Sequence, residues 1–296
     1  MAMIMVERFM VQSRSPFEIY HILTNLENSP TTEVESELFL PKGEGPFGCI
    51  IALHGSLGWG QHHQDHINEW LDSRLAVCKV NSFAARSIDS TVNDQLSVTH
   101  SMMLVDAFSV RDKLAENPSI TKIGIAGWSL GGTVALYSAW QPIIEKLGTP
   151  FDAHLSFYPA AHLRPDVQSW VKSPILILHG EADDWTPLHF VEGLMPQLPN
   201  ARLHVYPKAH HSFDIEKEFT YLPKAVHIKR RTVKIAKNGY MSGKLFPGLH
   251  LPLNQRWQRR WIIRILRNRG AHVQGNQIAR EDSLVRARKF FNDNLN

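Results

Sequence analysis

The stretch Ile123-Gly124-Ile125-Ala126-Gly127-Trp128-Ser129-Leu130-Gly131-Gly132 constrains this chain more than any other. An apolar, β-leaning run ends at a glycine, a serine follows, and two further glycines open a helical segment. Gly-x-Ser-x-Gly between a strand and a helix demands a turn so tight that the serine backbone is strained. Gly127 and Gly131 lack the Cβ atoms that would clash there. Such a turn lifts Ser129 Oγ to the carboxyl edge of a sheet. The first N–H groups of the next helix then lie where they can hold developing negative charge. The competing reading is a glycine-rich turn with an incidental serine, so the pattern needs partners elsewhere in the chain.

The rest of the sequence supplies a matching frame. Residues 1–30 are weakly patterned and are expected to form a short strand or two at the edge of a sheet; residues 34–40 alternate and end at Pro41, which predicts an edge strand. Residues 48–54 form an unbroken apolar run, the signature of a strand buried on both faces. Further strands are expected at 75–80, 120–126, 151–158, 174–179 and 202–206, and helices at 64–72, 94–115, 130–140, 187–198 and 277–295. This alternation implies an α/β fold with a mainly parallel sheet flanked by helices on both faces. No repeat or low-complexity linker divides residues 1–296, so a single domain is expected. An apolar fraction of 43% in 296 residues is ample for a large core.

A serine hydroxyl attacks well only when a base takes its proton, and the base needs a carboxylate to hold its tautomer. In such folds the order is Ser, then Asp or Glu, then His, each in a loop beyond a strand's carboxyl end. The strand at 174–179 runs into His179-Gly180-Glu181-Ala182-Asp183-Asp184-Trp185-Thr186-Pro187. The strand at 202–206 runs into Pro207-Lys208-Ala209-His210-His211-Ser212-Phe213-Asp214. Both loops lie where the order requires, with Asp183 or Asp184 as acid and His210 or His211 as base. An oxyanion site would use the Leu130 N–H and, from the loop His54-Gly55-Ser56-Leu57-Gly58-Trp59, the Ser56 N–H. His54 reads as structural.

Together these motifs resemble the dienelactone hydrolase family of α/β-hydrolases, over residues 34–214 and again from 271 to the end. Asn-Ser-Phe-Ala-Ala-Arg at 81–86 belongs to the same set. The resemblance implies Asp183 and His211 as the partners of Ser129. It also implies that Arg86 lies near a substrate carboxylate, unless it pairs with an acid such as Asp89 or Asp94. The family's founding members have cysteine where this chain has Ser129 and a glutamate near Gly55. Their absence turns the expected chemistry from dienelactones to ordinary carboxylic esters, with no cofactor or metal. Trp59, Trp128 and Trp185 flank the motifs and are expected to bind the acyl group or to shield the site. A peptidase-like hydrolase is the alternative, and the small chain leaves little room for the large cap such enzymes use.

One segment stands outside the resemblance. Residues 219–270 hold 13 Lys or Arg and no Asp or Glu, which leaves 19 basic and 28 acidic residues elsewhere. They include Lys229-Arg230-Arg231 and an amphipathic helix at 255–269 with Trp257, Trp261, Ile265 and Leu266 along one side. This basic insertion is expected to cover the acidic remainder of its own chain, or a second subunit in a homo-oligomer. Binding to an anionic surface or acidic partner is the less favoured reading. No apolar run approaches the roughly 20 residues that span a bilayer. Residues 1–10 carry Glu7 and Arg8 and show no leader pattern, so a cytoplasmic location and a small-molecule ester substrate are expected.

Overall fold

Alternate residues of the strand Phe47–Leu53 feed two separate apolar cores: Cys49, Ile51 and Leu53 pack on one side, Ile50 and Ala52 on the other. The same division runs through Ile120–Trp128, with Ile123 and Ile125 set against Ala126 and Trp128. Successive strand side chains point to opposite faces, so a strand without a polar face must be sheathed on both.

The computed structural model describes residues 5–228, 230–246, 249–266 and 269–296. Lys229 of the basic cluster and the side chains of Ile265 and Leu266 lie outside the described residues. The strands in chain order are β1 (Met5–Arg14), β2 (Thr31–Leu40), β3 (Phe47–Leu53), β4 (Ala76–Val80), β5 (Ile120–Trp128) and β6 (His154–Phe157). A short β7 (Leu163–Pro165) precedes β8 (Ile175–Gly180) and β9 (Ala201–Tyr206). The central sheet has the order β1-β2-β4-β3-β5-β6-β8-β9. It is antiparallel from β1 to β4 and parallel beyond. The mainly parallel α/β fold read from the sequence is therefore the observed one.

Helices α1 (Ile19–Asn25), α3 (His100–Ala115), α4 (Leu130–Tyr137) and α6 (Leu188–Leu194) contribute to the core on one face of the sheet. Helices α2 (Gln61–Asp72) and α8 (Gln277–Leu295) contribute to the core on the other. The short α5 (Gln141–Leu147) follows α4, and α7 (Arg256–Leu266) belongs to the basic segment. Among the described residues no helix is long and apolar enough to cross a membrane.

Two expectations need correction. Residues 34–40 are not at the edge, because β1 pairs with β2 along its whole length, from Met5 opposite Leu40 to Arg14 opposite Thr31. β1 is the edge strand expected within residues 1–30; most of it is exposed, so its bounds carried no apolar alternation. The helix expected from residue 94 begins at His100. Asp94 binds the Leu96 N–H and the Ser97 hydroxyl in a local turn, and the Thr99 hydroxyl caps α3 by accepting from Met102 N–H.

The basic segment is built of small sheets. β10 (Thr220–Val226) pairs antiparallel with β14 (Arg269–Val273). β11 (Val233–Ile235) lies parallel to β7 and antiparallel to β12 (Met241–Phe246), which pairs with β13 (Leu249–Pro252). Val233, Ile235, Met241 and Leu253 join the core that contains Ile19 and Ile22. Arg259 of α7 forms an ion pair with the buried Glu18 at the start of α1. Burial pushes the Glu18 carboxyl up to about 7, against the pull of that guanidinium.

Phe291 of α8 is fully buried, edge-on to Trp70 and against the backbone of Gly124 in β5. Phe291→Ala is expected to cost about 3–5 kcal/mol of stability in a urea titration. A loss under about 1 kcal/mol would contradict this packing.

Candidate active site

Ser129 sits between β5 and α4 with φ 53° and ψ −108°, a left-handed conformation unusual for any residue with a Cβ. The turn closes because the neighbouring chains touch. A Cβ at Gly127 would lie 2.1 Å from the Gly131 carbonyl oxygen, and one at Gly131 would lie 2.3 Å from that of Leu53. The Ser129 N–H donates to the Phe157 carbonyl at the end of β6 (2.9 Å), and its own carbonyl accepts from Thr133 N–H (2.8 Å).

The acid and histidine loops converge on this serine. His211 Nδ1 donates to Asp183 Oδ2 at 2.7 Å, and His211 Nε2 lies 2.9 Å from Ser129 Oγ. With its proton on Nδ1, the imidazole presents a lone pair on Nε2 to the serine hydroxyl. Asp183 also accepts from the N–H groups of Trp185 and Thr186 and from the Thr186 hydroxyl. Burial works to raise the Asp183 carboxyl, but the interaction with His211 and these hydrogen bonds outweigh it and hold the group below the usual range. The geometry also separates the candidates at each position. Asp184 turns away to pair with His272, and His210 packs against Phe219.

Behind this chain lies a second buried carboxylate that sequence reading passed over. Asp214 accepts from the Trp128 indole N–H (2.8 Å) and the Tyr158 hydroxyl (2.7 Å), and faces His66. Burial would raise it, yet His62, His66 and the Tyr158 hydroxyl hold it far down. The Tyr158 ring packs edge-on against His211, with centroids 4.8 Å apart, so Asp214 braces the wall behind the imidazole.

The loop after β3 lies against the elbow. A Cβ on Gly55 would be 3.2 Å from the Trp128 carbonyl oxygen and 3.4 Å from Ser129 Cβ. Ser56 is buried, its carbonyl accepting from Thr91 N–H and its hydroxyl from Gln95 Nε2. Leu130 N–H heads α4, where the first turn has no intrahelical acceptor. His54 is an internal residue, bonded to the Gly55 carbonyl and packed on Phe83, and burial lowers its imidazole to about 4.

Ser129, Ser56 and Leu130 open into a cavity of about 170 Å³. Its walls include Trp185 and Phe190 of the core, Ile228, Leu253, Ile262 and Ile263 of the basic segment, and that segment's Arg231, Lys244 and Arg259. His100 and His162 also line it, held at about 3 by burial first and the Arg259 charge second, so both imidazoles are neutral. Among the described residues, no group of three or more His, Cys, Asp or Glu side chains is arranged to hold a metal ion.

Of the four residues expected to bind substrate, only Trp185 lines this cavity. Its ring also packs on His211, and its indole N–H donates to the Val226 carbonyl. Trp128 points to the opposite face of the sheet and stacks on Phe157. Trp59 donates to Asn81, with Lys79 over its ring. Arg86 is neither in the cavity nor paired with Asp89 or Asp94. It forms a bidentate ion pair with the buried Asp106 at 2.8 and 3.0 Å and donates to Ser15 Oγ. Removing one partner of such a buried pair leaves the other uncompensated, so Arg86→Met is expected to cost about 3–5 kcal/mol of stability. Its KM for an ester should stay at the wild-type value; a raised KM with full stability would restore Arg86 to the substrate site.

The comparisons with known proteins agree with this architecture. The model of the dienelactone hydrolase family matches residues 79–235, just over half of the chain. The fold is similar to that of an esterase from Pyrococcus furiosus, with a TM-score of 0.51 and 15% identity over 71% of this chain and 85% of that one. It is equally similar to a Klebsiella pneumoniae protein provisionally described as a dienelactone hydrolase, with a TM-score of 0.51 and 18% identity over 70% and 89% of the two chains. No curated protein matches the chain. The chain belongs to the dienelactone hydrolase family, whose members are hydrolases of the α/β fold.

Proposed function

We propose that the protein is a serine hydrolase that cleaves small carboxylic esters through an acyl-enzyme. The observation that carries this reading is the hydrogen-bonded chain from Asp183 through His211 to Ser129, which ends on a strained serine facing a mainly apolar cavity. Ser129 Oγ attacks the ester carbonyl carbon while His211 Nε2 takes its proton, and Asp183 stabilises the imidazolium. The Leu130 and Ser56 N–H groups donate to the oxyanion, each contributing about 3–4 kcal/mol to the transition state. The tetrahedral centre collapses as His211 passes the proton to the leaving alkoxide. Water then attacks the acyl-enzyme carbon, with His211 as base, and the carboxylic acid and free Ser129 result.

The cavity supports a small substrate. At about 170 Å³ it is close to the roughly 150 Å³ that accepts a benzene ring. Its walls are mainly apolar, with Arg231, Lys244 and Arg259 also in the lining. A cytoplasmic setting goes with this reading and agrees with the unpaired state of Cys49 and Cys78.

A panel of p-nitrophenyl esters of increasing acyl length, set beside peptide p-nitroanilides, tests the proposal. Wild type should turn over the shortest esters and leave the anilides intact. Ser129→Ala and Asp183→Asn should each lower kcat by about 10⁴-fold or more, with the fold kept by circular dichroism. Wild-type ester turnover in folded Ser129→Ala would refute the assignment, and cleavage of anilides alone would point to a peptidase.

A further inference from the structure

Within its own chain the basic segment makes few ion pairs. It holds 11 described cations, and among the described residues only Lys234 and Arg259 form ion pairs, with Asp166 and Glu18. Most of the surplus is therefore not spent on the acidic remainder of the chain: Arg231 and Lys244 line the cavity, while Lys224, Arg230, Lys237, Arg256, Arg260, Arg264 and Arg269 are exposed.

Its organisation is clearest on α7 (Arg256–Leu266). Ile262 and Ile263 turn one side of this helix into the catalytic cavity, where Arg259 is latched to Glu18. The opposite side carries Trp257 and Trp261, one turn apart and each 64% exposed. Arg260 and Arg264 are exposed and fall on the same side at 100° per residue. Leaving two indoles in water costs apolar area that a core or an interface would recover. Exposed aromatic rings beside unpaired guanidinium groups match the boundary of a bilayer: the rings sit at headgroup depth and the cations meet lipid phosphates and carboxylates.

We propose that the outer face of α7, through Trp257, Arg260, Trp261 and Arg264, docks the protein on the surface of an anionic phospholipid bilayer. Charge complementarity selects a polyanion, and the indoles select one with an apolar layer beneath its charge. Nucleic acid would also engage arginines and stack on indoles. It would gain nothing from the other side of the helix, whereas an apolar ester concentrated in a bilayer would reach the cavity wall formed by that same helix. Docking is read without turnover, so it stands or fails separately from the hydrolytic reading.

The test is co-sedimentation of the full chain with vesicles of phosphatidylcholine alone and of phosphatidylcholine mixed with phosphatidylserine, over a salt series, with a duplex DNA binding arm. Wild type should bind the phosphatidylserine vesicles at low salt, lose them as salt rises, and shift its tryptophan emission to the blue on binding. Each arginine removed should weaken partitioning about fivefold, so Arg260→Gln with Arg264→Gln should weaken it roughly 25-fold. Trp257→Ala with Trp261→Ala should abolish the blue shift while circular dichroism stays unchanged. Failure of wild type to bind at low salt would overturn the proposal. So would wild-type binding by the arginine variant, or binding to duplex DNA without binding to vesicles.

Discussion

The structure depends on a close meeting of backbones beneath Ser129. Holding a serine at φ 53° and ψ −108° costs on the order of 1–3 kcal/mol, and it persists only where the surroundings leave no alternative. Here β3, β5 and β6 converge on one turn. The Leu53 carbonyl presses on Gly131, the Phe157 carbonyl accepts from Ser129 N–H, and Gly55 lies against the Trp128 carbonyl. The same contacts that strain the serine bring the loop of Ser56 alongside it. The strain and the placing of two candidate oxyanion donors thus have a single cause.

Electrostatics completes the site in layers. Asp183 is satisfied by four donors, so its charge survives burial and its direction is fixed towards His211 Nδ1. Asp214 is held in turn by Trp128 and Tyr158, and Tyr158 supports the imidazole from the side. Thr186 links the two layers: its hydroxyl reaches both Asp183 and the Tyr158 carbonyl. Two buried carboxylates at the ends of two neighbouring strands are costly unless paired. The site meets that cost with hydrogen bonds from indole, phenol and backbone.

The central strands and the Ser, Asp and His loops were legible in the sequence because strand ends and short motifs are local signals. What sequence left open was settled by long-range partners. Asp183 and Asp184 are adjacent, and only the position of His272 shows why Asp184 turns away. Trp128 precedes the serine, but strand alternation sends it through the sheet to Phe157. Arg86 answers to Asp106, on a helix whose packing no local pattern reveals. An edge strand within residues 1–30 was legible, but not its bounds, because an exposed strand needs no apolar alternation. The cavity wall was hidden more deeply. Residues such as Ile228 and Ile262 lie far from Ser129 in sequence, and nothing in their immediate neighbourhood marks them as facing it.

The basic segment joins these parts into one device. It packs its apolar residues into the core beside α1, walls the cavity beside Ser129 with Ile262 and Ile263 of α7, and leaves Trp257, Arg260, Trp261 and Arg264 exposed on that helix's other side. The function of the cavity rests on Ser129 being an activated nucleophile, and this can be measured without knowing the substrate. The folded chain would be treated with a fluorophosphonate and digested, and the labelled peptide mapped by mass, with heat-unfolded chain as the control. The expected result is stoichiometric label on Ser129 in the folded chain and none after unfolding. Label on another serine, or no label on the folded chain, would contradict it.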